Sequence, residues 1–351
     1  MFSKLLNSES SWEKLKNSAL PVVVYGTGNG ADRVFDEFHR LGVKISAVAA
    51  SDGFVRHRIF RGFEVKSISV LENEFGDFTV ALAFASPLPS VIENVKALSM
   101  RHNVIMPSVP VYGDNIFNKD FLNNHLSEIE NAYNLLADEK SKTVFENIIK
   151  FQITGDLQYT FNCESDKKEA FSLLKLHDNE NYLDLGAYRG DTVDELLSYA
   201  NGYSHITAAE PDKKAFRKLK ENCERLHNIS LLNCAVWNKC DEIPFGGGKG
   251  RGSSLIGDGE TVPCADVDTL NQKYGVFTYI KADVEGAEKE LLDGAGRTLR
   301  EYKPKLNIAA YHRSEDIFYL INRIYEINGE YKIYLRHHPH ISFWDTNLYC
   351  I

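Results

Sequence analysis

Buried apolar runs alternate with stretches of helical period twice along this chain, and a third texture separates the two series. Pro21-Val-Val-Val-Tyr25 reads as a strand buried on both faces. Apolar positions then recur at helical spacing (Val34, Phe35, Phe38, Leu41), and Gly42 stands where a helix would stop. Further strands are expected at 43–50, 79–85 and 103–105. The second series places strands at 182–185, 205–209 and 229–232, a fourth running into Asp283 and a fifth over 306–311. Between the series, residues 118–150 carry helical periodicity (Leu122, Ile129, Tyr133, Leu136; then Val144, Ile148, Phe151) with many charges. No Gly/Pro/Ser-rich tether appears there, so packed helices are expected to join the two folds. The chain closes on two strands, 331–336 and 346–351, around a turn containing Pro339, and such close neighbours pair antiparallel. Strands alternating with helices imply the α/β class. The expected division is an N-terminal domain over 1–115, a helical connector over 116–175 and a second α/β domain over 176–351.

Chemistry concentrates at the strand ends of the second series. Tyr182-Leu-Asp-Leu-Gly-Ala-Tyr-Arg-Gly-Asp-Thr192 is a strand–turn–helix with a glycine where a backbone can approach a ligand. It lacks the Gly-Lys-Ser/Thr ending of a phosphate loop. The turn instead carries Asp184 and Asp191, which would repel phosphate and suit a ligand bearing an ammonium and a sulfonium, as S-adenosylmethionine does. Glu210 follows Gly190 by twenty residues, at the end of the next strand, where a carboxylate accepts hydrogen bonds from ribose hydroxyls. The alternative for Glu210 is a solvated acid capping the helix over 213–226. The third strand leads into Asn233-Cys-Ala235, and the fourth into Asp283-Val-Glu-Gly-Ala-Glu288. Ligands of open α/β sheets bind beyond such strand ends.

These residues carry a family resemblance. Asp184-Leu-Gly-Ala-Tyr-Arg-Gly-Asp-Thr192, Glu210-Pro-Asp212, Lys281-Ala-Asp-Val-Glu-Gly-Ala-Glu288 and Lys303-Pro-Lys-Leu306 resemble, in order and spacing, the FkbM-type methyltransferases. Tyr311-His-Arg313 and Tyr334-Leu-Arg-His-His338 extend the match, which covers roughly 181–351. Ala282 replaces the isoleucine or methionine usual before that Asp, a conservative departure. The resemblance implies a Rossmann-like class I methyltransferase fold, a parallel sheet with a C-terminal antiparallel hairpin, and S-adenosylmethionine as methyl donor. Its motif positions put Asp184, Gly186, Tyr188, Gly190, Asp191, Thr192, Glu210, Ala235 and Asp283 at the cofactor.

An alcohol acceptor has a high pKa, so a base or a metal must assist its attack on the methyl group. His312, at the end of the fifth strand, is the expected base, against the alternative of a structural histidine. Asp283 is expected to orient His312 or the methionine end of the cofactor. Glu285 meets substrate or caps the helix running to Leu292, and His337 and His338 line an acceptor pocket or a polar surface. A metal variant would use Asp283, Glu285 and His312, but no His-x-x-x-His or similar repeat supports it, and the site is expected to be metal-free. Phe245-Gly-Gly-Gly-Lys-Gly-Arg-Gly-Ser-Ser254 is a hairpin loop or a lid whose Arg251 meets an anionic substrate group.

The N-terminal domain carries Gly26-Thr-Gly28-Asn-Gly-Ala31 between strand and helix, with Asp52 near the next strand end, a dinucleotide-like fingerprint. NAD(H), a nucleotide-sugar, or no ligand at all remain the three readings. An N-terminal module similar to those beside sugar-modifying enzymes implies a sugar hydroxyl or other small-molecule acceptor, with a nitrogen acceptor still open. The rival functions are a nicotinamide-dependent oxidoreductase built on the first module and a non-catalytic binding protein. The net charge of −9 argues against nucleic acid as partner. No stretch approaches the roughly 20 apolar residues of a membrane helix. The six cysteines are scattered without a Cys-x-x-Cys pair, as in a reducing cytoplasm. A homo-oligomer is compatible with all of this.

Overall fold

The computed structural model describes residues 1–55, 58–244 and 261–351, the side chain of Asp52 excepted. The first sheet contains β1 (Val22–Tyr25), β2 (Ile45–Ala49), β3 (Ile59–Phe60), β4 (Phe63–Lys66), β5 (Thr79–Leu82) and β6 (Asn103–Ile105), in the order β3-β4-β2-β1-β5-β6. All its pairs are parallel except the β3–β4 hairpin. The helix Asn29–Leu41 ends as its sequence predicts: Gly42 sits at φ 71°, and its N–H reaches back to the last-turn carbonyls.

The second sheet is built from β7 (Asn181–Leu185), β8 (His205–Ala209) and β9 (Ile229–Leu232), then, beyond a small separate sheet, β13 (Tyr279–Ala282), β14 (Lys305–Ala309), β15 (Ile333–His337) and β16 (Thr346–Cys350). Its order is β15-β16-β14-β13-β7-β8-β9. Five strands run parallel, and β16 lies antiparallel between β14 and β15. This is the Rossmann-like methyltransferase arrangement with its terminal antiparallel hairpin. The small sheet, β10 (Ala235–Val236), β11 (Asp241–Pro244) and β12 (Thr261–Ala265), contains the antiparallel pair on either side of the hairpin loop expected at 245–254, but the sequence reading places no strands there. Its short strands offer Ala235, Val236, Ile243, Val262 and Cys264 to the core and are interrupted by Pro244 and Pro263, so no long apolar run marks them.

One apolar core runs through both sheets and the helices between them, from Phe2 and Val23 through Val144 and Ile148 to Ile308 and Leu348. The leader contributes directly: Phe2 meets Tyr133 and Phe145 edge-to-face, with centroids 5.6 and 5.7 Å apart. Arg336 ties the terminal hairpin to the connector. It is 1% exposed, bonds Asp138 at 2.7 Å and Ser141 at 2.8 Å, and pairs with Glu169 at 2.9 Å. No helix among the described residues is long and apolar enough to cross a membrane.

Candidate active site

The turn after β7 is the first wall of the site. Gly186 lies at φ 79°, where a Cβ would stand 1.9 Å from the carbonyl oxygen of Asp283, so only glycine lets this turn close onto the end of β13. The N–H groups of Gly186 and Ala187 both reach the carbonyl of Ala209 at 3.0 Å, pinning the turn to β8. Tyr188 follows at φ 47°, a left-handed conformation rare for a non-glycine residue. Its N–H donates to Glu210 Oε2 at 2.9 Å, while Asp212 N–H donates to Oε1 at 2.7 Å. Glu210 is thus held at the end of β8 with lone pairs to spare for further donors. Burial pushes its pKa up to about 7 despite both backbone bonds.

Asp184 and Thr192 are placed differently from expectation. Asp184 is fully enclosed, its Oδ2 accepts from the Thr192 hydroxyl, and Lys281 stands beside it across the β7–β13 register. Burial raises its pKa to about 6, against the pull of Lys281 and Thr192. The pair clamps the start of the helix Asp191–Tyr199 onto the strand, with Asp191 itself on the exposed side. Gly190, at φ 96°, turns its missing side chain towards Leu219 and Cys223, 3.3 and 3.4 Å from where a Cβ would be. Its smallness serves the packing of two helices. Ala235 is buried in β10, paired with Cys264, and contributes no exposed side chain to the rim.

The second wall is an acidic cluster around one histidine. Residues 284–287 form a turn in which Glu285 (φ 53°) and Gly286 (φ 97°) are both left-handed. A Cβ on Gly286 would lie 2.8 Å from the ring of Tyr112, a residue of the N-terminal domain that also stacks under Arg313 at 4.4 Å. Tyr112 N–H further donates to the carbonyl of His312 at 2.9 Å, so the segment after β6 covers this side of the site. Glu288, not Glu285, closes the turn: its Oε1 accepts from Val284 N–H at 3.0 Å. The helix here is Glu288–Asp293, and Glu285 lies outside it, which removes the capping alternative.

His312 is 1% exposed, with Nδ1 2.9 Å from Glu288 Oε1 and Nε2 3.3 Å from Asp283 Oδ1 and 3.6 Å from Glu285 Oε2. Burial opposes a charge on the ring, but Glu288 and Asp283 overwhelm it and hold the pKa well above its ordinary value. That direction favours the protonated ring over the neutral base expected from the sequence. Burial likewise opposes the charge on Asp283, yet Lys281, His312 and Tyr311 keep its carboxyl below the usual range. Glu285 is pushed up to about 7 by burial, which outweighs His312. Asp283 and Glu285 each keep about a third of the side chain exposed (33%), so they form the open rim. Tyr311, whose hydroxyl meets Asp283 at 3.3 Å, completes that rim, and sequence reasoning passed over it as motif context.

His337 and His338 do not line a pocket. His337 is fully buried against Thr346 at 3.0 Å, and burial drives its pKa down to about 3. His338 bridges the carbonyl of Ser165 and the hydroxyl of Tyr349 at 3.0 and 2.8 Å. Both hold the hairpin against the connector. Arg251 and the side chain of Asp52 lie outside the described residues.

In the N-terminal domain, Gly26 (φ 133°) is set by its fit against Ala83, whose oxygen would lie 2.9 Å from a Cβ. Gly28 has open space before it and fronts a cavity of about 280 Å³ lined by Gly30, Phe84, Ser108, Phe343 and Trp344, among others. Trp344 in turn stacks towards Tyr311, with centroids 6.4 Å apart. The Tyr311–Trp344 pair therefore links the edge of this cavity to the rim of the acidic cluster.

Residues 184–341 match the family model of the methyltransferase FkbM domain. The chain is similar to the crystal structure of methyltransferase FkbM from Methylobacillus flagellatus KT, with a TM-score of 0.73 and 21% identity over 99% of this chain and 92% of that one. Identity at that level speaks to the fold. Precorrin-6y C5,15-methyltransferase from Geobacter metallireducens GS-15 (TM-score 0.33, 12% identity, 52% of this chain and 83% of that one) shows a fainter likeness. So does Aeropyrum pernix fibrillarin with natively bound S-adenosyl-L-methionine (TM-score 0.33, 16%, 53% and 74%), and likenesses that faint place no constraint on this chain. No curated protein sequence matches. The strand order, the glycine turn locked against Asp283 and the family match agree: residues 184–341 match the methyltransferase FkbM domain on a Rossmann-like methyltransferase fold.

Proposed function

We propose that the domain uses S-adenosylmethionine to methylate a hydroxyl of a sugar or other small molecule, in glycan or secondary-metabolite assembly in the cytoplasm. The observation that carries this reading is the pair of walls at adjacent strand ends. Glu210 and the Tyr188 turn offer acceptors for a ribose, and Asp283, Glu285 and Tyr311 form a polar rim beside them. The donor supplies an electrophilic methyl group on a sulfonium, and an acidic rim suits a cationic ligand. Asp184, being enclosed, acts on the donor through the turn it clamps.

On transfer, an O–CH₃ bond forms as the S–CH₃ bond breaks, and the hydroxyl proton must leave. Glu285, on the rim and with its pKa pushed up to about 7, is the carboxylate placed to receive one. The cavity behind Trp344 gives the remainder of an acceptor somewhere to lie, and Gly28 at its edge suits a nucleotide-linked sugar. Holding both reactants in near-attack geometry would supply much of the acceleration.

Calorimetry of the protein against S-adenosylmethionine, NADH and UDP-sugars tests this directly. Binding of S-adenosylmethionine, followed by transfer of its labelled methyl group to a sugar hydroxyl, is the expected result. Binding of NADH alone would replace it with the oxidoreductase reading. Glu285→Gln should lower turnover by roughly 10²–10⁴-fold, with donor affinity nearly unchanged.

A further inference from the structure

We propose that the cluster around His312 is a binding site for a divalent transition-metal cation, with Asp283, Glu285 and His312 Nε2 as ligands and Glu288 as the residue that orients the ring. Among the described residues, Asp283, Glu288 and His312 are the one group of three whose potential ligand atoms all lie within 4.8 Å of one another. Acidic residues alone would be weak grounds. The independent observation is the imidazole: His312 is 1% exposed, yet its Nε2 makes no hydrogen bond. Asp283 Oδ1 at 3.3 Å and Glu285 Oε2 at 3.6 Å flank that nitrogen at a spacing close to that between neighbouring ligands of one ion.

The other nitrogen completes the pattern. Nδ1 faces Glu288 Oε1 at 2.9 Å, and Glu288 is itself fixed by Val284 N–H at 3.0 Å. A histidine that donates one ring N–H to a buried carboxylate can offer its other nitrogen in a defined direction, the arrangement that supports metal-bound imidazoles; a bound cation would take the place of any proton on Nε2. The left-handed backbone at Glu285 turns its carboxylate back towards the ring. Tyr112 packs on Gly286 and bonds the His312 carbonyl, so the turn and the histidine are held by one residue of the N-terminal domain.

One imidazole with carboxylates favours Mn²⁺, Fe²⁺, Co²⁺ or Zn²⁺ over the all-oxygen preferences of Ca²⁺ and Mg²⁺. Asp283 and Glu285 lie on the rim, so an acceptor hydroxyl could share the ion and be polarised by it. This role deepens the methyl-transfer reading and rests on it; the site itself does not.

The test titrates Mn²⁺ and Co²⁺ into the full chain, with and without S-adenosylmethionine. Electron paramagnetic resonance follows free Mn²⁺, visible absorption follows bound Co²⁺, and calorimetry gives the stoichiometry. One saturable ion per chain is expected. His312→Ala should weaken binding by at least about 100-fold, and Glu288→Gln by roughly 10–100-fold. Donor affinity in the same variants serves as the control for folding. A parent protein that binds S-adenosylmethionine but neither cation overturns the site, as does His312→Ala protein that binds Mn²⁺ like the parent. Cation binding without donor binding would uphold the site and sink the methyl-donor assignment alone.

Discussion

Gly186 and Asp283 meet so closely that no side chain fits between them: a Cβ at Gly186 would stand 1.9 Å from the Asp283 carbonyl oxygen. The contact joins the cofactor turn to the acidic cluster, and the left-handed φ of 79° makes the position unsuited to any other residue. Gly186→Ala must therefore either part the ends of β7 and β13 or unfold the turn. A loss on the order of 3 kcal/mol is expected, together with loss of S-adenosylmethionine binding. Denaturant melts and calorimetry on the variant decide it; a parental midpoint with parental affinity would refute the contact.

Glu210 links the donor to pH. Its pKa of about 7, against an ordinary 4.5, comes from burial. Under the proposed function, ribose hydroxyls would donate to the ionised form, so binding would draw the pKa down and release a proton. Affinity should be full above pH 7 and fall below it, approaching tenfold per unit. The stability effect has the opposite sense. The protonated group contributes stability that is present below about 4.5 and lost as pH rises through about 7. Glu210→Gln should thus bind the donor more weakly by about 1–3 kcal/mol, with a flat pH dependence, and melt higher than the parent at pH 8. A pH-dependent affinity that survives the substitution would assign the proton to another group.

Arg336 is the test of how the connector is held. Burial opposes the charge of Asp138, but Arg336 and Ser141 outweigh it and hold the carboxyl down to about 2. The stabilisation is present above the ordinary range near 3.8 and lost as pH falls towards 2. Arg336→Ala leaves Asp138 and Glu169 without their cation and should cost about 3 kcal/mol at neutral pH, narrowing as the pH is lowered into that window. Equal melting of both proteins at pH 7 would contradict the tie.

Gly28 offers a test of whether the cavity it fronts works apart from the methyl-transfer site. Nothing lies within 4 Å of where its Cβ would be, and its φ of −106° is open to any residue. Gly28→Val should fold and bind S-adenosylmethionine as the parent does, while filling part of the interdomain cavity. Any affinity for nucleotides or nucleotide-sugars should drop. A variant that loses donor binding instead would show that the cavity and the methyl-transfer site act as one.

Much of this architecture is legible in sequence because its signals are local. Val22–Tyr25, Asn181–Leu185 and His205–Ala209 are apolar runs bounded by turn residues, and Gly42 marks its helix end by being the residue that tolerates a left-handed φ. The acids at Glu210 and Asp283 announce themselves by following such runs. Facing and enclosure are not local, and there the tertiary structure decides. His312, His337 and His338 all follow predicted strands, yet the first joins the acidic cluster and the others lock a hairpin. Gly190 looks like a ligand glycine until the helix Lys213–Asn222 is packed against it. Glu288 becomes the orienting partner of a histidine 24 residues away only when β13 and β14 lie side by side. Composition and period determine which segments become strands and helices, because those depend on neighbours along the chain. Which carboxylates share one imidazole is set by sheet order and by the N-terminal domain's Tyr112, contacts between residues far apart in sequence.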